Sequence, residues 1–379
     1  MTGTSTGTES ADRRPNRLAA AMGDISGAFG DLGTMLPYVI AGLMAGLLAP
    51  APVFAGFAAG YALVAFRYRI PIPVQPMKAM GAALLAGHLA PTELAIAGAL
   101  MGVILLAMSA LPGLVTHARA IPQSVIVGLQ VGLGITLFLV ALDLMDQNWW
   151  LAAPALAVLG LSLVWTRGPW ALLVIGAALA FGLVTGLTTT LPAPGPPETA
   201  ISASDIVLFG LLPQLPLTLL NAVVLTAALA RSVYGPDAAR VTEARLAASS
   251  GALTLIFAPL GGLPMCHGAG GVTAHHRFGA RGMLAPLLLA GLCATMALAG
   301  PSVLGLLGAI PMPVVGALLA YAAADLAFSR RLLDARADCR PVMAAAALGT
   351  AILGPAVGLA AGLAAETLRK ARATGATRP

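Results

Sequence analysis

Long apolar runs separated by short polar or proline-glycine breaks dominate this chain. In the first half they predict spans at about 30–49, 52–66, 74–88, 93–111, 122–142, 149–165 and 169–187. A polar, proline-rich connection follows, TTTLPAPGPPETAISASD at 188–205. The second half repeats the pattern at about 205–230, 245–261, 264–276, 283–300, 311–328, 341–353 and 355–368. Helices across a bilayer need roughly 20 apolar residues. A membrane β-barrel would alternate polarity residue by residue, and that alternation is absent. The predicted fold is an all-α polytopic membrane protein with about fourteen spans in two sets of seven. Residues 1–20 read as a disordered cytoplasmic tail and 21–190 as the first set. Residues 191–204 form an external linker, 205–370 the second set and 371–379 a second cytoplasmic tail.

Composition strengthens this reading. The chain is 58% hydrophobic and 9% charged, with a mean hydropathy of +0.89. Soluble proteins carry about 25% charged residues, so a soluble form could not cover its own surface. The polar N-terminal residues lack the apolar stretch of a cleaved signal peptide. Cys266, Cys293 and Cys339 are scattered and imply no disulfide framework.

The charge of +6 is a topology signal and implies no nucleic-acid partner. With the N-terminus in the cytoplasm and fourteen spans threaded, 20 of the 21 basic residues fall on cytoplasmic segments. The outer segments hold none, but they do hold Glu93, Asp143, Asp146 and Glu198. Lys78, inside the third span, is the basic residue left over.

The two halves echo one another. PIPVQPMKAMGAALLAG at 71–87 has a counterpart in GLPMCHGAGGVTAHHRFG at 262–279. Each begins with proline, passes through extended residues and then turns small and helical. Pro71, Pro73 and Pro76 cannot sit inside a continuous helix, and each pushes its predecessor toward extended geometry. Spans 3 and 10 are therefore predicted as extended segments leading into half-helices. Seven spans is an odd number, so the second copy is inverted in the membrane. Inverted repeats with matched broken helices point to a transporter whose site lies near the midplane.

A half-helix start offers unpaired N–H groups and partial positive charge, which suit an anion. Lys78 adds a full charge beside Gln75, Pro76 and Met77, although a lysine can also snorkel to an interface. Gly268, Ala269, Gly270 and Gly271 open the second half-helix, where glycine lets backbone approach a ligand. Gln75 and Gln214 read either as site members or as interhelical hydrogen-bonding groups. Asn221 reads as the latter. Thr34 and Thr218 offer hydroxyls to a substrate or to their own backbone. Asp31, in GDLGT, is a candidate proton-coupling carboxylate; it also suits a helix cap or a partner for Lys78. His267 is a candidate oxyanion contact. Asp325 is expected to face water or pair with a nearby arginine. The spacing C-H-x7-H-H over Cys266, His267, His275 and His276 is no zinc signature, so neither a metal nor a cofactor is predicted.

At these residues the chain resembles the molybdate transporter family of plants and bacteria, relatives of the sulfate permeases. The matching stretches are FGDLGTMLP at 29–37, PVQPMK at 73–78, LPQLPLTLLNAV at 212–223 and PMCHGAGGVTAHHRFGAR at 264–281. IPQSVIVGLQVGLG at 121–134 is similar to the fifth span of sulfate permeases. The resemblance implies a fourteen-helix inverted-repeat fold shared with uracil permease-like transporters. Spans 1–4 and 8–11 would form a transport core, and spans 5–7 and 12–14 a gate. It further implies elevator-like sliding of the core, often in a dimer, with molybdate or sulfate as substrate. The chain ends soon after Arg378, without the STAS domain of many sulfate permeases, as expected for the molybdate branch. Where the family has Arg-Thr-Gly, this chain has Arg281-Gly282-Met283, a departure expected in a cytoplasmic turn away from the site. The alanine-, glycine- and arginine-rich composition suggests a bacterial inner membrane.

Three alternatives follow from the same residues. An anion channel of this fold would conduct passively. A nucleobase symporter would usually place a carboxylate in span 8 or 10, where this chain offers Gln214, Asn221 and His267. An intramembrane enzyme would need a nucleophile–base pair, and no such arrangement lies at plausible depth.

Overall fold

The computed structural model describes residues 17–111, 122–165, 169–187 and 201–375, and each span expected from the sequence contains a helix. Most of the N-terminal tail and of the linker lies outside these residues. Among the described residues, five helices are long and apolar enough to cross a membrane: Ala20–Met44, Pro50–Arg67, Pro91–Ala110, Gln123–Asp146 and Ala203–Arg240. Others are shorter, among them Trp149–Val164, Trp170–Thr185 and Met312–Ala327. The large apolar side chains on the outside, such as Phe66, Trp150, Val184, Leu298 and Ile352, are the ones a lipid solvent would cover.

Helix boundaries differ from the sequence reading where polar groups have hidden partners. The first helical segment begins at Arg17, well before the expected residue 30. Asp24 lowers the hydropathy there. Its Oδ1 accepts from the backbone N–H of Arg281 (2.6 Å) and Gly282 (2.9 Å), which ties the segment to the turn after the second half-helix. Gly282, the departure from the family pattern, is therefore a contact of Asp24. The helix tightens to a 3-10 turn at Phe29–Asp31 before continuing as Leu32–Met44. The eighth span runs on to Arg240 and contains two wide π-helical stretches, Ile206–Leu211 and Thr218–Leu225. Pro213 and Pro216 lie between them, and each removes a backbone donor that the local widening accommodates. The eleventh span, Leu284–Ala299, bends by 101° into a short helix, Pro301–Leu307, that the hydrophobic pattern did not separate. Gly300 takes the positive φ of 50° at that bend.

The packing follows two-fold exchange of equivalent elements. Leu284–Ala299 lies on Pro50–Arg67, and Glu243–Phe257 lies on Pro91–Ala110. In a membrane such contacts depend on close packing of small residues. A Cβ on Gly102 would come within 2.7 Å of Leu255 N, and one on Gly251 within 2.9 Å of Gly102 O. A second bundle gathers Gln123–Asp146, Met312–Ala327, Arg340–Leu353 and Pro355–Gly375. The core meets this bundle mainly where Met312–Ala327 touches Leu32–Met44 and where Lys78–Leu85 touches Gln123–Asp146.

Replacing Gly102 by Leu should lower the thermal unfolding midpoint in detergent, since overpacking costs about 1–3 kcal/mol. Gly291→Leu, where a Cβ meets open space, should leave the midpoint near wild type.

Candidate anion-binding site

The two broken spans meet in the interior. Strands β1 (Gln75–Pro76) and β2 (Met265–Cys266) pair antiparallel, with Gln75 opposite Cys266 and Pro76 opposite Met265. The Met77 N–H extends the pairing to the Pro264 carbonyl (2.8 Å). From this crossing the half-helices Lys78–Leu85 and Ala269–Arg277 depart in opposite directions, so their N-termini face each other. Irregular backbone at membrane depth must have its polar groups satisfied. Neighbouring helices supply the partners symmetrically. Tyr61 on the second span donates to the Val74 carbonyl (3.1 Å). Thr254 on the ninth donates to the Met265 carbonyl (2.7 Å) and accepts from its N–H (3.0 Å).

His267 belongs to the same scaffold. It is fully buried, with Nδ1 2.8 Å from the Pro73 carbonyl and Nε2 2.6 Å from Ser249 Oγ. A carbonyl only accepts, so Nδ1 carries the proton. Ser249 Oγ also lies 2.8 Å from Tyr68 Oη, which donates to the Arg245 carbonyl (2.9 Å). With both ring nitrogens engaged, His267 acts as a strut and presents no free nitrogen to an oxyanion.

Gln75 and Gln214 are also committed to protein groups. Gln75 Nε2 donates to both carboxylate oxygens of Asp31 (2.7 Å each) and lies 3.0 Å from Thr34 Oγ1. Thr34 donates to Asp31 Oδ1 (2.7 Å). Asp31 is 2% exposed and forms no ion pair with Lys78 or with any other described residue. Gln214 Oε1 accepts from the N–H groups of Ala79 (2.8 Å) and Met80 (3.3 Å), and its Nε2 donates to Thr218 (2.8 Å). The first half-helix thus has two of its free donors capped by a side chain.

The second half-helix is different. Among the described residues, no acceptor meets the N–H groups of Ala269, Gly270 and Gly271. Gly268 and Gly271 are required by close approach, because a Cβ there would strike the Gln75 amide and the Asp31 carboxyl group respectively. Gly270 is exposed, and a Cβ on it would meet nothing within 4 Å. The glycine run therefore does two things: two positions pack the crossing, and the third leaves the helix N-terminus open.

Lys78, on the first turn of the first half-helix, turns toward the second bundle. Its Nζ lies 3.3 Å from Asp325 Oδ2 on Met312–Ala327. Asp325 is exposed to the cleft, as the sequence suggested, and its ionic partner is this lysine in place of an arginine. A cleft of about 900 Å³ runs between the two bundles. Phe29, Gly30 and Gly33 line it from the first bundle; Phe138, Tyr321 and Asp325 line it from the second. The described residues hold no cluster of three metal-ligating side chains.

An inverted-repeat helical membrane protein with a cleft between its two bundles and paired half-helices beside it is a transporter of the 7+7 class. Comparison with solved structures supports the fold. The chain is similar to the transmembrane domain of a cyanobacterial bicarbonate transporter, BicA, at a TM-score of 0.65 and 16% identity, covering 92% of this chain and 98% of that one. It is also similar to murine Slc26a9, an anion transporter in the inward-facing state, at 0.64 and 16% identity, covering 94% and 68%. Sequence comparison is more specific. A sequence model of the family described as "Molybdate transporter of MFS superfamily" matches residues 23–137 and 207–326. Arabidopsis thaliana molybdate transporter 1 is 30% identical over 84% of this chain and 81% of its own length. Molybdate transporter 2 of the same plant is 28% identical over 92% and 87%. The chain belongs to the molybdate transporter family, and it is an integral membrane transporter, not an enzyme.

The geometry separates two neighbouring glycines. Gly271→Ala should lose thermal stability, because its Cβ must displace Asp31 and Pro73. Gly270→Ala should keep the wild-type unfolding midpoint. Melting curves of the two purified variants check the difference.

Proposed function

We propose that this chain imports molybdate across the membrane, binding the dianion between the half-helix N-termini. The observation that carries the reading is a lysine on the first turn of one half-helix and an uncapped start on the other, the two held together by the pairing of Gln75–Pro76 with Met265–Cys266. An intramembrane lysine costs about 2.5–3.5 kcal/mol on insertion scales, so a functional partner is its default explanation. The contacts to the anion would be the Lys78 ammonium and the N–H groups of Ala269, Gly270 and Gly271. Gln75, Pro76, Met77, Thr34, Gln214, Thr218, His267 and Gly268 would shape and hold this cradle. Molybdate and sulfate are both tetrahedral dianions, so sulfate is the natural competitor. The names of the plant relatives favour molybdate.

Transport would proceed by sliding the core against the gate, with the cleft as the cytoplasmic half of the path. The arginine-rich helix ends, including Arg277 on the cleft wall, support a cytoplasmic assignment for that side. The same rule supports cytoplasmic termini and, in a bacterium, the inner membrane. A homodimer remains part of the proposal on family resemblance.

Asp31 is the proton-coupling candidate. A buried carboxylate without an ion-pair partner is costly when charged, and a dianion arriving nearby raises that cost. Protonation of Asp31 would remove the repulsion, so anion and proton would enter together.

Uptake of radiolabelled molybdate into proteoliposomes tests this directly. Wild type should show saturable uptake, stimulated by an inward proton gradient and resistant to excess sulfate. Lys78→Ala should lose at least tenfold in uptake, and Asp31→Asn should abolish the gradient's effect while anion binding persists. Uptake erased equally by sulfate would reassign the substrate to oxyanions generally. Gradient-independent, non-saturating flux would indicate a channel.

A further inference from the structure

We propose that Asp325 is a built-in competitor of the substrate: its carboxylate occupies the Lys78 ammonium in the empty transporter and sets which anions can bind. The inference rests on the reading of Lys78 as an anion contact. It starts from an ion pair that joins the two moving parts. Lys78 belongs to the core half-helix and Asp325 to the gate helix, 247 residues away in sequence, with Nζ 3.3 Å from Oδ2. Asp325 lines the cleft and its side chain is 45% exposed, whereas that of Lys78 is 22% exposed. The carboxylate therefore sits on the side from which an anion leaving or entering the cleft must pass, and it can swing into cleft water when displaced.

A second observation marks the same place. The Tyr38 hydroxyl is buried and has no hydrogen-bond partner among the described residues. Tyr38 packs beside Gly81 of the same half-helix and lies within electrostatic range of Asp325. A buried hydroxyl without a partner is costly, so Tyr38 has a hydrogen bond to offer a ligand that reaches it. An oxyanion taking Lys78 from Asp325 would bring several acceptors.

The consequence is selectivity by charge. Any anion must replace a carboxylate that is tethered and always present. A tetrahedral dianion has two charges and four oxygens to offer; chloride or nitrate has one charge and gains little over the carboxylate it displaces.

The test measures equilibrium binding of labelled molybdate to the purified full chain, with chloride and nitrate as competitors. Asp325→Asn should bind molybdate about two- to fivefold more tightly, the scale of a half-exposed ion pair, and should become sensitive to nitrate. Asp325→Glu keeps the charge and should behave as wild type. Size-exclusion elution identifies variants that fail to fold; if Asp325→Asn is among them, Asp325→Ser takes its place with the same expectation. Unchanged or weaker binding in the charge-removed variant, with binding lost in Lys78→Ala, overturns this proposal alone. Unchanged binding in Lys78→Ala, or none in wild type, overturns the site reading and this proposal with it.

Discussion

The short antiparallel crossing of Gln75–Pro76 with Met265–Cys266 is the constraint on which the rest of the molecule depends. Breaking two helices inside a membrane leaves backbone donors and acceptors that no solvent can satisfy. The strands satisfy part of this need; Tyr61 and Thr254 satisfy more from two neighbouring helices, and His267 does so from the broken span itself. Once the crossing is held, the half-helices must point their N-termini at each other. The positive ends then converge on one region without requiring a permanent cluster of cations there.

The two half-helices share this region unequally. Gln214 quiets the donors of the first, which instead contributes the Lys78 ammonium. The second contributes bare backbone through its glycines. One side thus supplies a movable charge and the other a fixed cradle. Asp31 stands between them, held by Gln75 and Thr34, so the acid that would carry a proton shares a hydrogen-bonded network with the strand that forms the site. Lys78 is also the link to the gate, which makes the same residue the candidate substrate contact and a point of contact between the bundles.

Much of this was legible in the chain because it is local. Three prolines within six residues force extended backbone, and a lysine in that setting has few structural explanations. The paired motif near residue 265 and the arginine asymmetry gave the inversion. What was not legible depends on partners far apart in sequence. Nothing near Asp325 announces Lys78, and nothing near His267 announces that Pro73 and Ser249 take both its nitrogens. Nothing near Asp24 announces its acceptor role for Arg281 and Gly282, some 250 residues away. The π-helical stretches around Pro213 and Pro216 follow from prolines that the helical pattern absorbs without showing how.

The most direct measurement is the position of the metal atom in crystals grown with molybdate, read from anomalous diffraction at the molybdenum edge. The account predicts one dominant peak between the Lys78 ammonium and the N–H groups of Ala269, Gly270 and Gly271, with the Asp325 carboxylate turned away from the lysine. A dominant peak elsewhere, such as beside Arg277 at the mouth of the cleft, with the Lys78–Asp325 pair intact, would contradict it.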